Sequence, residues 1–244
     1  MTTRARLQRL LQEVRHNPLR EPEYFKALLG ATVYAHVPVA QVPGRLRFIQ
    51  FVRPENGQTV LPFFSDKEKA YAATGGKVGV IAMEGHRLFE LTQGATLMLN
   101  PNDDQAVLYP AEIEALLSGK DLAAFSTEVL QEAETVGIRE PTVPVDGLLE
   151  LLVDFCRQER CVEAAYLIEV LRGRDHEDIS LLLSIVAPLG QHDRIVRSCM
   201  QKIEPSVASL ALPLMMVAIE PKVRATSFYR RNAPVYELAH QEPK

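Results

Sequence analysis

The chain is poor in the residues that mark several specialised classes of protein. Its 244 residues include no tryptophan and only three cysteines, and no two of these cysteines form a C-x-x-C pair. This count excludes a disulfide scaffold and the usual cysteine-rich zinc motifs. Without a signal-peptide pattern, the odd count predicts a reducing compartment. We expect Cys156 and Cys199 to lie in the core as small apolar side chains.

Long apolar runs and an excess of basic charge are also missing. The longest candidate span, 207–219, has 13 residues and contains Pro213, whereas about 20 apolar residues are needed to cross a bilayer. The net charge is −4, and nucleic-acid-binding domains usually carry a basic face and a high isoelectric point. We therefore expect a cytoplasmic protein that binds neither a membrane nor a nucleic acid.

No complete catalytic, cofactor-binding or metal-binding motif occurs in the sequence. The Gly-Lys pair at 76–77 is followed by Val78, so the hydroxyl that a P-loop needs after its lysine is absent. His86 and Glu90 share one helix face, but no third metal ligand is evident. The segment 174–178 collects acidic groups and an imidazole, and we expect a hydrated loop there. The sequence thus predicts no enzyme, no cofactor and no metal site.

The first half of the chain has the pattern of two helices followed by a strand-rich region. Apolar residues at helical spacing, with a proline start and a glycine stop, predict the two helices. Asn56-Gly57 predicts a hairpin. Ser65 and Glu68 have capping-box spacing, so we expect the Ser65 hydroxyl to accept the Glu68 N–H. The predicted helices are 3–15, 22–30, a short helix that ends at 73, 86–91, and a helix that begins at 110. The predicted strands are 31–37, 45–52, 58–64, 77–83, 95–99 and 106–108.

Several short motifs in this half carry a family resemblance. They are Asn17-Pro18, Leu28-Leu29, Val60 to Ser65, Leu97 to Pro101, and Pro110 to Ile113. In this order they resemble the N-terminal domain of the SseB family, named for enhanced serine sensitivity, over about residues 17–118. The resemblance implies an α+β fold and no established reaction.

The second half has the order strand, helix, strand, strand, helix, strand. This order is typical of a ferredoxin-like domain with a mainly antiparallel sheet and helices on one face. The strand 162–171 has apolar residues on both sides, so both of its faces need cover. Pro213 in the last strand indicates a sheet edge or a bulge. The predicted strands are one ending at 138, 162–171, 179–186 and 210–219, and the predicted helices are 145–158 and 191–203.

This half also resembles the C-terminal domain of the SseB family. The matching stretches are Gly137 to Pro141, Val162 to Leu167, and Phe228 to Arg231. The two resemblances together predict an α+β protein with two mixed-sheet domains. We expect an SseB-type N-terminal domain over 1–120, a linker over 121–127, and a ferredoxin-like C-terminal domain with a tail over 128–244.

The strongest candidate for a binding site is the tail segment Phe228, Tyr229, Arg230 and Arg231. Two aromatic rings beside two guanidiniums can stack, and can form paired hydrogen bonds to a carboxylate or a phosphate. The simpler alternative is that the aromatic rings hold the C-terminal segment on the sheet while the arginines are solvated.

Two classes of function stay open at this point. The leading hypothesis is a non-enzymatic accessory or regulatory module that acts by contact with a protein partner or by self-association. The alternative is a small-molecule sensor or enzyme related to amino-acid metabolism, as the family name suggests, with its site between the two domains.

Overall fold

The computed structural model describes residues 3–40, 44–54, 57–103, 105–122, 137–173, 178–225 and 227–238. The chain divides into two compact units, 1–127 and 128–244. Each unit has its own mixed sheet and its own helices, which confirms the predicted α+β class. The predicted linker, 121–127, lies outside the described residues from 123 onward.

The first unit is built on a sheet with the strand order β4-β1-β3-β5-β6, and β2 also pairs with β3. β3 and β5 are parallel, and the other pairs are antiparallel. The strands are β1 Thr32–Val37, β2 Phe51–Val52, β3 Thr59–Phe64, β4 Gly79–Glu84, β5 Leu97–Leu99 and β6 Ala106–Leu108. The helices are α1 Thr3–His16, α2 Glu21–Leu29, α3 Lys67–Ala72, α4 Gly85–Leu91 and α5 Pro110–Leu117.

The core of the first unit forms where the apolar faces of the helices meet the sheet. Leu7 and Leu10 of α1 and Phe25 of α2 are buried, as their helical spacing predicts. On the sheet, the ring of Phe63 meets the ring of Phe89 from α4 edge to face, with 5.9 Å between the centroids. Burying a large apolar side chain contributes about 1.5–3 kcal/mol, so this cluster is the main source of stability in the unit.

The predicted strand 45–52 is wrong for most of its length, because only Phe51–Val52 forms a strand. β1 already pairs with β3 on one side and β4 on the other. β1 pairs with β3 only at Tyr34 and Ala35. The segment before β2 therefore meets only the end of β1, where the Ile49 N–H donates to the His36 carbonyl at 2.9 Å.

The cap of α3 also differs from the prediction. Asp66, not Ser65, is the N-cap, and its Oδ1 accepts the N–H of Glu68 at 2.8 Å and the N–H of Lys69 at 3.3 Å. The hydroxyl of Ser65 instead accepts a hydrogen bond from Nδ2 of Asn100 at 3.1 Å. Both residue types can cap a helix, so the local sequence alone does not decide between them.

We expect Asp66→Ala to lower the free energy of unfolding of the first unit by about 1 kcal/mol, because the first turn of α3 loses its acceptor. Asp66→Asn keeps an acceptor oxygen at the same place and is expected to lose only a few tenths of a kcal/mol. Urea unfolding followed by circular dichroism measures both. An asparagine variant as unstable as the alanine variant would contradict the cap.

The second unit has a sheet with the strand order β10-β9-β8, and both β7 and β11 pair with the far edge of β8. β9 and β10 are parallel, and the other pairs are antiparallel. The strands are β7 Gly137–Arg139, β8 Ala164–Arg172, β9 Asp178–Val186, β10 Leu214–Ile219 and β11 Tyr236–Glu237. The helices are α6 Asp146–Gln158, α7 His192–Val207 and α8 Ser227–Arg231.

The ferredoxin-like arrangement predicted for this unit is not confirmed. A split β-α-β unit places another strand between two parallel strands. Here the parallel strands β9 and β10 are direct neighbours, joined through α7, and β8 pairs with β9 as a hairpin. The order of elements along the chain agrees with the prediction, but the order of strands in the sheet does not.

The helices α6 and α7 cover one face of this sheet and bury two of the three cysteines. Cys156 and Cys199 lie in this core, as predicted. Burial raises the pKa of the Cys156 thiol to about 12, and the carboxylate of Glu159 adds to that rise. Burial likewise raises the pKa of Cys199. Both thiols are therefore protonated at neutral pH and act as apolar core groups.

Candidate functional site

The C-terminal segment crosses the face of the second sheet that lies opposite α6 and α7. It leaves the end of β10 at one edge, forms a short 3-10 helix over Pro221–Ala225 and then α8, and ends as β11 beside β8. Because β9 lies between β10 and β8, the segment spans at least three strands. Hydrogen bonds from Val235 N–H to the Ala165 carbonyl and from Leu238 N–H to the Glu163 carbonyl, both 2.8 Å, fix its far end.

Tyr229 anchors the middle of this segment on the sheet. Its ring contacts the ring of Tyr166, with 5.0 Å between the centroids, and its hydroxyl lies 3.2 Å from the buried hydroxyl of Ser184. Burial raises the pKa of Tyr229, although the Ser184 hydrogen bond opposes the rise. The phenol therefore stays neutral at neutral pH.

Arg224 forms a second anchor beside Tyr229. Its Nε donates to the hydroxyl of Tyr166 at 2.8 Å, and its guanidinium pairs with the carboxylate of Glu237 in β11. The hydrogen bonds to Glu237 and Tyr166 raise the pKa of Arg224. These contacts join the start of the segment to its end. We call Tyr166, Ser184, Arg224, Tyr229 and Glu237 the tyrosine cluster.

The structure separates the four predicted site residues by role. Tyr229 faces the sheet, whereas Arg230 and Arg231 are exposed. Among the described residues, neither arginine has a hydrogen-bond or ion-pair partner. The side chain of Phe228 lies outside the described residues. Anchoring by Tyr229 therefore holds two guanidiniums at the surface of α8.

Sequence reasoning missed the other members of the tyrosine cluster. Tyr166 and Ser184 are strand residues that face the same side of the sheet, because they are direct cross-strand partners in the register of β8 and β9. Arg224 lies 58 positions from Tyr166. No local pattern links groups so far apart. The register of β8 and β9 brings Tyr166 and Ser184 together, and the path of the C-terminal segment adds Arg224 and Tyr229.

A buried carboxylate holds the other end of this sheet. Glu169 is fully buried; its Oε2 accepts from Nε of Arg139 at 2.6 Å, and its Oε1 accepts from the N–H and the hydroxyl of Thr142 at 2.6 and 2.7 Å. Burial alone would raise the pKa of Glu169, but the hydrogen bonds from Thr142 and Arg139 outweigh it and lower the pKa to about 2. The carboxylate thus ties the segment around β7 to β8.

The first unit contains a small pocket near the parallel strand ends of β3 and β5. The side chain of Asn100 is buried there, and its Oδ1 accepts the N–H of Ser65 at 3.2 Å. Lys69 forms an ion pair with Asp103 at 2.6 Å beside it. These contacts join the β3 and β5 ends to α3. The residues that line the pocket are Leu7, Gln8, Leu11, Tyr24, Ser65, Asp66 and Lys69.

The structure also locates the groups considered for metal chemistry. His86 and Glu90 form an exposed pair, with 3.6 Å between Nδ1 and Oε1, and His36 is buried with its Nε2 2.8 Å from the Ala70 carbonyl oxygen. Within the described residues, no three histidine, cysteine or acidic side chains come together as a metal site. Residues 174–177 lie outside the described part of the chain.

The sequence predicted no membrane-spanning segment. Every helix in the described part of the chain is too short or too polar to cross a lipid bilayer.

Two successive units, each a mixed sheet with its own helices, define a two-domain α+β protein. Residues 7–115 match the family model of the SseB protein N-terminal domain, and residues 130–237 match that of the SseB protein C-terminal domain. The chain belongs to the SseB family.

Curated relatives agree with this assignment. The chain is 27% identical over 218 residues to "Protein SseB" of Escherichia coli (strain K12), a match that covers 86% of this chain and 81% of the relative. The protein of the same name from Shigella flexneri matches with the same identity and coverage. No solved structure matches the chain significantly.

Proposed function

We propose that this chain is a non-enzymatic cytoplasmic accessory module that acts by binding another protein, and that α8 is part of its binding surface. One observation carries the proposal. Tyr229 fixes α8 on the sheet through Tyr166 and Ser184, while Arg230 and Arg231 next to it are exposed.

The chemistry of the guanidinium group favours a partner with carboxylates. A guanidinium can donate two parallel hydrogen bonds to one carboxylate, and such charge-assisted bonds are stronger than neutral ones. Binding costs less entropy when the contact groups are held on a fixed backbone. The anchored tyrosine supplies that fixed backbone. The partner expected is therefore a protein with an acidic patch.

We expect the double substitution Arg230→Ala and Arg231→Ala to weaken partner binding at least about tenfold, because each lost charge-assisted hydrogen bond contributes about 1.5 kcal/mol or more. The thermal unfolding midpoint should stay unchanged, since both side chains are exposed. The measurement is affinity capture from a lysate of the source cells, followed by titration of the captured protein.

A matched control uses two exposed arginines of the first unit. Arg45→Ala with Arg47→Ala removes the same charge from side chains that are also exposed and, among the described residues, without partners. This control should retain the partner fully. Equal loss of binding in both double variants, or full binding by the α8 variant, would contradict the proposal.

The same preparation tests the alternative function, a small-molecule sensor or enzyme of amino-acid metabolism with a site between the domains. Serine and related amino acids are added in a thermal-shift assay, where a ligand at 100 times its Kd stabilises by about 2.7 kcal/mol. A chain that retains no protein but is stabilised by an amino acid would support the alternative instead.

A further inference from the structure

β10 lies at the open edge of the second sheet. Among the described strands, only β9 pairs with it. Its six residues are all apolar, each is at least partly exposed, and Val217 is 36% exposed. Edge strands normally carry charged residues, which prevent them from pairing with the strands of another chain. The edge strand β4 of the first unit carries Glu84, for example, whereas no charged residue occurs in 205–219.

The pairing with β9 determines which backbone groups of β10 face outward. The carbonyls of Pro213 and Ile219 accept N–H groups of the β9 chain at 2.8 and 3.0 Å. Successive residues of a strand direct their backbone groups to alternate sides. The N–H and C=O groups of Leu214, Met216 and Ala218 therefore point away from β9, toward the open edge.

The helix layer beside this edge is apolar as well. One flank of α7 faces α6, where Nζ of Lys202 lies 2.9 Å from Oδ2 of Asp154. Because each helical residue turns by about 100°, the opposite flank of α7 carries Val196, Met200 and Val207, all partly exposed. Since α7 also packs on β10, this flank lies above the open edge.

We propose that this edge binds a second copy of the chain, with the two β10 strands antiparallel and centred on Met216. In that register Leu214 faces Ala218 of the second copy, and Met216 faces its own equivalent. The outward groups of both strands then pair in about six hydrogen bonds. The two sheets become one continuous sheet, related by a two-fold axis as in most homodimers.

A second copy fits this edge better than an isolated peptide strand. β10 is about 20 Å long, so one added strand would cover only a narrow strip, well below the roughly 800 Å² per partner of a stable complex. A second copy also has its own α7, and the apolar flanks of the two α7 helices would pack against each other across the two-fold axis. The contact therefore has two layers, strand on strand and helix on helix.

Analytical ultracentrifugation of the full chain tests the dimer without any other protein, so its outcome is independent of the proposed function. We expect the chain to associate with a Kd in the micromolar range. Val217→Lys places a charge on the edge and should weaken association at least about tenfold. Val52→Lys, on an exposed strand of the first unit, should not. A chain that stays monomeric at about 100 µM, or dimers equally tight in both variants, would overturn the proposal.

Discussion

Replacing Gly85 with alanine is expected to lower the free energy of unfolding of the first unit by about 3 kcal/mol or more. A Cβ at this position would lie 2.0 Å from the Leu28 carbonyl oxygen and 2.9 Å from its carbon. Both are backbone atoms at the end of α2, and the Gly85 N–H also donates to the Ala31 carbonyl at 2.8 Å. The clash can therefore be relieved only by moving α4 away from α2.

A second glycine provides the matched control. Gly147 lies in α6, and a Cβ there would meet only the Ser206 hydroxyl, at 3.8 Å. Gly147→Ala should stabilise the second unit by up to about 1 kcal/mol, because alanine loses less chain entropy in a helix. Urea unfolding gives both changes, and amide hydrogen exchange locates them in the two units. A Gly85→Ala variant as stable as the wild type would show that α2 and α4 are not in close contact.

Substitution of Glu169 by glutamine should have the second-largest effect, about 2 kcal/mol at pH 7, because a buried charged acceptor loses its hydrogen bonds to Arg139 and Thr142. The effect should depend on pH. The pKa of Glu169 is lowered to about 2 in the folded chain, so the stabilisation is present above the ordinary carboxyl pKa and is lost as the pH falls toward 2.

The measurement is the difference in unfolding free energy between the wild type and Glu169→Gln at a series of pH values from 7 to about 3. We expect this difference to shrink steadily below about pH 5. Glu140→Gln, at an exposed position of the neighbouring segment, should leave stability unchanged throughout. A Glu169→Gln difference that does not change with pH would mean that the carboxylate is not held in its charged form.

The parts of the fold that depend on local sequence could be predicted. The alternation of apolar residues gave β9 within one residue of its observed start, and the Pro110 start of α5 was correct. The predicted strands 95–99 and 106–108 require a turn between β5 and β6, and Asn100 adopts a positive φ of 43° there, which asparagine tolerates better than most residues.

The parts that depend on pairing between distant segments could not be predicted. The predicted ferredoxin-like strand order does not match the structure, because the sequence of a strand does not determine which other strand pairs with it. The choice of Asp66 over Ser65 as the cap depends on Asn100, whose Nδ2 donates to the Ser65 hydroxyl from the turn after β5. In the candidate site, the sequence pattern of the tail predicted Tyr229, Arg230 and Arg231. The contacts of Tyr229 with Tyr166 and Ser184 could not be predicted, because they depend on the register of β8 and β9.

The path of the C-terminal segment has a consequence for synthesis. A chain emerges from the ribosome with its N-terminal end first, and every strand of the second sheet except β11 precedes the segment. Until residues 224–229 have left the ribosome, Tyr166 and Ser184 have neither Tyr229 nor Arg224 beside them. The nascent sheet therefore presents an incomplete face, and truncation just after β10 would make that transient state permanent.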